Sequence, residues 1–195
     1  CGSLSYRDSI LDMKYLTVFR HAKSDWGNPS SPDHDRVLNE RGLRAAPVVA
    51  GFLKRTYFGG NGTPAIMPAP DRIISSTAER AWTTAKLVGE QLRIPTTSMA
   101  LDSRLYLASH ETILEVVRGI DESSSHCALF GHNPGLHDFV NQVLSRASIP
   151  RMPTCTAVII GLPHEFWGLT DWCEGQLIGY ITPKALERRF PQECA

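Results

Sequence analysis

Residues 15–26 read YLTVFRHAKSDW. An apolar run over 15–19 passes directly into Arg20 and His21, and then into small and polar residues. A short apolar run bounded by polar residues is the pattern of a strand buried on both faces, as in a parallel sheet. At the end of such a strand, side chains as polar as Arg20 and His21 need either solvent or a specific partner. A phosphoryl group suits both. Arginine presents a rigid fork of donors to phosphate oxygens, and histidine offers a nucleophilic or proton-carrying nitrogen.

The pattern recurs along the chain. Residues 39–55, NERGLRAAPVVAGFLKR, have helical apolar spacing with Asn39 near the N-cap, and Pro47 predicts a kink or a late start. The Gly- and Pro-rich residues 58–70 read as a loop. Residues 71–75, 126–130, 157–161 and 176–181 read as strands; residues 77–92, 111–120 and a stretch from about 136 read as helices. Strands alternating with helices predict a three-layer α/β/α sandwich with a largely parallel central sheet. One domain over 15–190 is expected, with 1–14 as an N-terminal extension or expression-derived residues.

Composition narrows the function. The 195 residues carry 20 basic and 20 acidic side chains, a formal net charge of zero, which argues against nucleic acid or a membrane surface as partner. No apolar run approaches the roughly 20 residues that span a bilayer, and the first residues lack the apolar core of a secretory signal. The five cysteines (Cys1, Cys127, Cys155, Cys173 and Cys194) are odd in number and form no C-x-x-C pair, so neither a disulfide framework nor metal spacing is expected. Cys127 and Cys155 read as small buried hydrophobes. A reducing compartment is expected, the cytoplasm or an organelle.

In doubly wound sheets chemistry gathers at the carboxyl ends of strands. Three segments end a strand there with reactive side chains: FRHAKS (19–24), ISSTAERAWTTA (74–85) and FGHNPG (130–135). They supply Arg20, His21, Arg80 and His132. A helix opening at Ser76 or Thr77 would put Arg80 about one turn in, able to reach back toward the strand ends. Two arginines, two histidines and a helix start describe a pocket for a tetrahedral dianion.

These segments resemble a known family. Arg20-His21-Ala22 is similar to the R-H-G/A signature of the histidine phosphatase superfamily, the phosphoglycerate mutase-like fold. More narrowly, RHAKSDW, DHDRVLNERG (33–42), SSTAERAWTTA, LYLAS (105–109), GHNPG, and MPTCTAVIIG (152–161) followed by PKAL together resemble the SixA-like phosphohistidine phosphatases. The resemblance implies His21 as the nucleophile that becomes phosphorylated, Arg20 and Arg80 as clamps on the phosphoryl oxygens, and His132 as a stabiliser of transferring charge. Arg36 and Ser24 would contact phosphate or substrate, and Asn39 falls in a matching motif. It implies a phosphorylated protein or a small phosphorylated molecule as substrate, no cofactor and no metal.

Many members of the family this chain resembles that act on phosphate esters carry a carboxylate proton donor in the segment after the Arg80 helix. Here that segment reads ALDSRLYLASHE (100–111), leaving Asp102, Glu111 or no residue as the acid. An alkoxide leaving group needs a proton in the transition state, whereas imidazole leaving from phosphohistidine is far less basic. The missing acid therefore favours phosphohistidine over an ester. Lys23, Asp25, Asp33, His34 and Asp35 read as surface residues of a polar loop. Trp26 is expected to pack beside the pocket, and Trp82, Trp167, Trp172, His110, His126, His137 and His164 to be structural or exposed.

Overall fold

The computed structural model describes residues 13–25, 27, 32–60 and 62–189. The opening apolar run forms β1 (Lys14–Arg20). It lies between β4 (His126–Gly131), which is parallel to it, and β5 (Ala157–Leu162), which is antiparallel. Beyond β4 come β2 (Arg72–Ser75) and then β3 (Met99–Leu101), both parallel additions. Beyond β5 lies β6 (Gln176–Ile181), antiparallel to it. The strand order is β3-β2-β4-β1-β5-β6, so β5 alone runs against the rest and the sheet is largely parallel, as the sequence predicts.

Period-two alternation along β1 feeds two cores. Tyr15 and Phe19 pack on one face with α1 (Glu40–Leu53) and α2 (Glu79–Leu92), joined by Leu186 of α5 (Pro183–Arg189). Leu16 and Val18 pack on the other face with α3 (His110–Arg118) and α4 (Gly135–Val143). Phe19 and Phe130 are register partners, and their rings stack with centroids 4.6 Å apart. Helices cover both faces of the sheet, completing the three layers. Cys127 and Cys155 are buried free thiols, and burial pushes the Cys155 thiol up to about 12. No described helix is long and apolar enough to cross a membrane.

Two local expectations are corrected, and one element was not expected. Helix α1 runs unbroken through Pro47, although proline removes a backbone donor there. The face carrying Ala46, Val49, Ala50 and Leu53 is fully buried, and that packing outweighs the roughly 3 kcal/mol an interior proline costs. Helix α2 opens at Glu79 rather than at Ser76 or Thr77. The Ser76 amide continues the sheet ladder onto the Phe130 carbonyl, and Ala78, the N-cap, still has extended backbone. The short strand β3 has no counterpart among the expected elements, because three residues are too few to show a period. Trp26 lies outside the described residues.

Register brings the predicted segments together. Arg20 stands opposite Gly131, and Ser75 opposite Phe130. The chain therefore delivers His21, Ser76 and His132 to one edge of the sheet.

Candidate active site

His21 is almost fully buried. Its backbone N–H donates to the Gly131 carbonyl at 3.1 Å. Its Nδ1 lies 2.7 Å from the Ala22 carbonyl. A carbonyl only accepts, so Nδ1 carries the proton and Nε2 holds the free lone pair. Burial lowers the His21 pKa to about 4, the Ala22 bond opposes that, and the charges of Arg80, Arg20 and Arg36 reinforce it. The ring is thus neutral at physiological pH.

His132 lies beside it, ring centroids 5.1 Å apart. Its Nε2 is 2.9 Å from Ser76 Oγ, which accepts in turn from the Ala78 amide at 3.3 Å. With the Ser76 proton given to Nε2, the ring proton of His132 sits on Nδ1, a buried atom without a hydrogen-bond partner among the described residues. Burial, then the neighbouring His21 and Arg80, push its pKa down to about 3.

The arginines are fixed by carbonyls and by one carboxylate. Arg20 Nη1 donates to the Met152 carbonyl at 2.8 Å, and Asn133 Nδ2 donates to the same oxygen at 3.0 Å. One carbonyl thus ties the ends of β1 and β4 to the MPTC segment. Arg80 is 2% exposed, and its Nη1 and Nη2 both reach Asp33, at the backbone carbonyl and at Oδ2 (2.8 Å for the latter). The Nε atoms of Arg20 and Arg80 are buried without hydrogen-bond partners among the described residues. Buried donors of this kind are rare unless a ligand or water completes them.

Arg36 joins the same cluster, with Nη2 2.8 Å from Asp33 Oδ1. Ser24 is buried and bridges to Leu38 beside His21. Asn39 serves the backbone: its side chain accepts from the Gly42 amide as the N-cap of α1. Lys23 and Asp25 are exposed, in line with their reading as loop residues.

Asp33 departs from that reading. It is half exposed, yet it binds Arg80, Arg36 and the Tyr106 hydroxyl, the last at 2.8 Å. Partial burial works to raise its pKa, but hydrogen bonds from Tyr106 and Arg80 and the two arginine charges win, holding the carboxyl below its ordinary value. Tyr106 also meets the His132 ring edge-on at 5.6 Å. Sequence reasoning missed both residues, although the quoted DHDRVLNERG and LYLAS segments contain them.

Neither candidate acid is held protonated. The Asp102 carboxylate is gripped by Arg104, with Nη2 at 2.7 Å, and those bonds lower its pKa against partial burial. Glu111 is exposed, lies 3.0 Å from His110 Nε2, and is held below its ordinary value by the Ser109 hydroxyl first.

The comparisons with known proteins agree on the architecture. No protein-family profile matches the chain. Solved structures share its fold: a protein histidine phosphatase SixA complexed with tungstate (18% identity, TM-score 0.70, covering 88% of this chain and 99% of that one), a protein assigned as phosphohistidine phosphatase SixA from Agrobacterium tumefaciens (24%, 0.69, 87% and 98%), and a mycobacterial glucosyl-3-phosphoglycerate phosphatase (18%, 0.51, 85% and 97%). The fold is thus the phosphoglycerate mutase-like sandwich of the histidine phosphatase structures. Among curated sequences, an uncharacterised chloroplastic protein of Arabidopsis thaliana is 30% identical over 164 residues, covering 78% of this chain and 68% of that protein. The chain belongs to the same family as that plant protein. An uncharacterised protein of Mycobacterium leprae is 30% identical over 118 residues, and the matched region spans 64% of its length, under two thirds.

Proposed function

We propose that the chain is a phosphatase working through a phosphorylated His21, with phosphohistidine in proteins as its substrate. The observation that carries this reading is His21 itself: a buried, neutral imidazole, proton held at Nδ1 by the Ala22 carbonyl, in the field of Arg20 and Arg80. His21 Nε2 attacks phosphorus while the P–N bond of the substrate breaks. The substrate imidazole, already protonated on its other ring nitrogen, takes the bonding pair and departs neutral. In the second step water attacks phospho-His21, phosphate departs and the imidazole is restored. Arg20, Arg80 and the His132 Nδ1–H stabilise charge on the equatorial phosphoryl oxygens, the main requirement of phosphoryl transfer.

The ionised state of Asp102 and Glu111 supports phosphohistidine over an ester. General acid catalysis contributes about 10²–10⁴-fold where the leaving group is basic, so an ester loses about that much here and an imidazole far less. The decisive assay offers the protein, without added metal, phosphohistidine-bearing protein and separately sugar phosphates and other alkyl phosphates, with His21→Ala alongside. His21-dependent release from phosphohistidine, about 100-fold or more above the esters, is expected. Fast ester hydrolysis overturns the substrate assignment. Phosphate binding without turnover of any substrate overturns catalysis and leaves a phospho-ligand binding module.

A further inference from the structure

Beside His21 the surface opens into a groove of about 660 Å³. It runs from Arg20 and His21 between the first turns of α1, residues 150–155 and α5. Its outer walls carry Lys23, Arg41, Arg151, Lys184 and Arg188, and among the described residues no Asp or Glu lines it. All five are exposed. Arg41 reaches Glu187 outside the groove at 3.4 Å; the other four have no carboxylate partner among the described residues.

Composition does not account for this, because the chain as a whole carries no net charge. The fold does not need it either, since exposed charges contribute little to stability and gathered like charges repel. An anion in the groove reverses that repulsion.

We infer that the substrate presents its phosphohistidine from an acidic protein surface, whose Asp and Glu side chains dock on Lys23, Arg151, Lys184 and Arg188. The inference rests on the phosphohistidine reading above. A small polyanion would be enclosed by a few fixed polar groups that bury it. Here the cations stand exposed on long, mobile side chains from separate elements, an arrangement suited to steering and orienting a charged surface. The docked carboxylates set which phosphohistidine reaches His21.

The test uses peptides of equal length with one central histidine, phosphorylated with phosphoramidate and flanked by Glu, by Gln or by Lys. For the full chain, kcat/KM on the Glu-flanked peptide is expected about tenfold above the Gln-flanked one. The ratio should shrink to about twofold or less near 0.5 M salt, where exposed charges are screened. In a Lys184→Glu/Arg188→Glu variant the preference should pass to the Lys-flanked peptide. Arg151→Glu, on a different segment, gives a second reading should the α5 variant fail to fold. Equal, His21-dependent rates on all three peptides overturn the inference and leave the phosphohistidine reading standing. No turnover of any phosphohistidine peptide removes that reading and the inference with it. Faster turnover of a sugar bisphosphate than of any peptide assigns the groove to a small polyanion and also overturns it.

Discussion

Asp33 holds Arg80 by both ends of its fork: Nη2 donates to Asp33 Oδ2 at 2.8 Å, and Nη1 to the Asp33 backbone carbonyl. The arginine that would clamp the phosphoryl group thus faces a carboxylate, which also takes Arg36. Asp33 orients both guanidinium groups, and its charge opposes an incoming dianion. Asp33→Asn keeps an acceptor in place while removing the charge. It is expected to tighten binding of inorganic phosphate about three- to tenfold, read by isothermal titration calorimetry. Unchanged or weaker phosphate binding would show that orientation by Asp33 outweighs its repulsion.

Arg80→Lys tests the fork directly. Lysine keeps the positive charge but not the planar array of donors, whose Nε is buried without a hydrogen-bond partner among the described residues. The expected result is a fall in kcat/KM of about 10²–10³-fold, with an intact near-ultraviolet circular dichroism spectrum. A loss below about threefold would place Arg80 outside the transition-state contacts.

Gly42 sets how closely α1 approaches the segment after His21. A Cβ added there would lie 2.3 Å from the Lys23 carbonyl oxygen, which also accepts from the Asn39 amide at 3.0 Å. Backbone on both sides leaves no flexible atom to yield. Gly42→Ala is expected to destabilise the fold by about 1–3 kcal/mol, seen as a lower urea midpoint. It should also slow turnover, because the Lys23–Ser24 segment is displaced from His21.

Much of this arrangement was legible in the sequence because strand ends are written there. The run into Arg20-His21 and the turn at Gly131-His132 were visible as apolar segments stopping abruptly at polar residues. Arg80 was visible too, though not the point at which its helix begins. Asp33 and Tyr106 were not. Each lies in a polar loop without periodicity, and only the folded chain brings Asp33 to Arg80 from 47 residues away and Tyr106 to Asp33 from 73 away. The basic groove was hidden for the same reason. Its cations come from segments far apart in a chain whose charges sum to zero, so no local run of sequence betrays it.

The neutral His21 sets the pH profile of the proposed reaction. Its pKa of about 4 places the loss of nucleophile well below the ordinary histidine range. After correction for the ionisation of the substrate, kcat/KM should stay flat from about pH 8 to pH 5 and fall only toward pH 4. An acid limb near the unperturbed value of about 6.5 would mean that burial and the arginine charges do not govern His21.

The same histidines govern stability on the acid side. His21, His126 and His132 are buried with pKa values lowered to about 4, about 4 and about 3, burial being the first cause in each. His126 is locked between Thr17 Oγ1 and the Pro68 carbonyl, each at 2.7 Å. In the unfolded chain all three titrate near 6.5. Between that value and about 4 the unfolded state binds more protons than the folded one, so stability is full above pH 6.5 and falls as pH drops through this window. Each histidine accounts for about 1–3 kcal/mol. The Asp71 carboxylate acts in a separate window. Burial works to raise its pKa, but bonds from Ser124, Ser125 and the His126 amide hold it below the ordinary value, so its contribution is lost only below about pH 4. Urea unfolding should therefore show the midpoint dropping by roughly 1 M or more between pH 7 and pH 5, where the carboxylates are still mostly ionised. A midpoint constant over that range, with loss confined to below pH 4, would assign acid sensitivity to the aspartates and remove the histidines from the account.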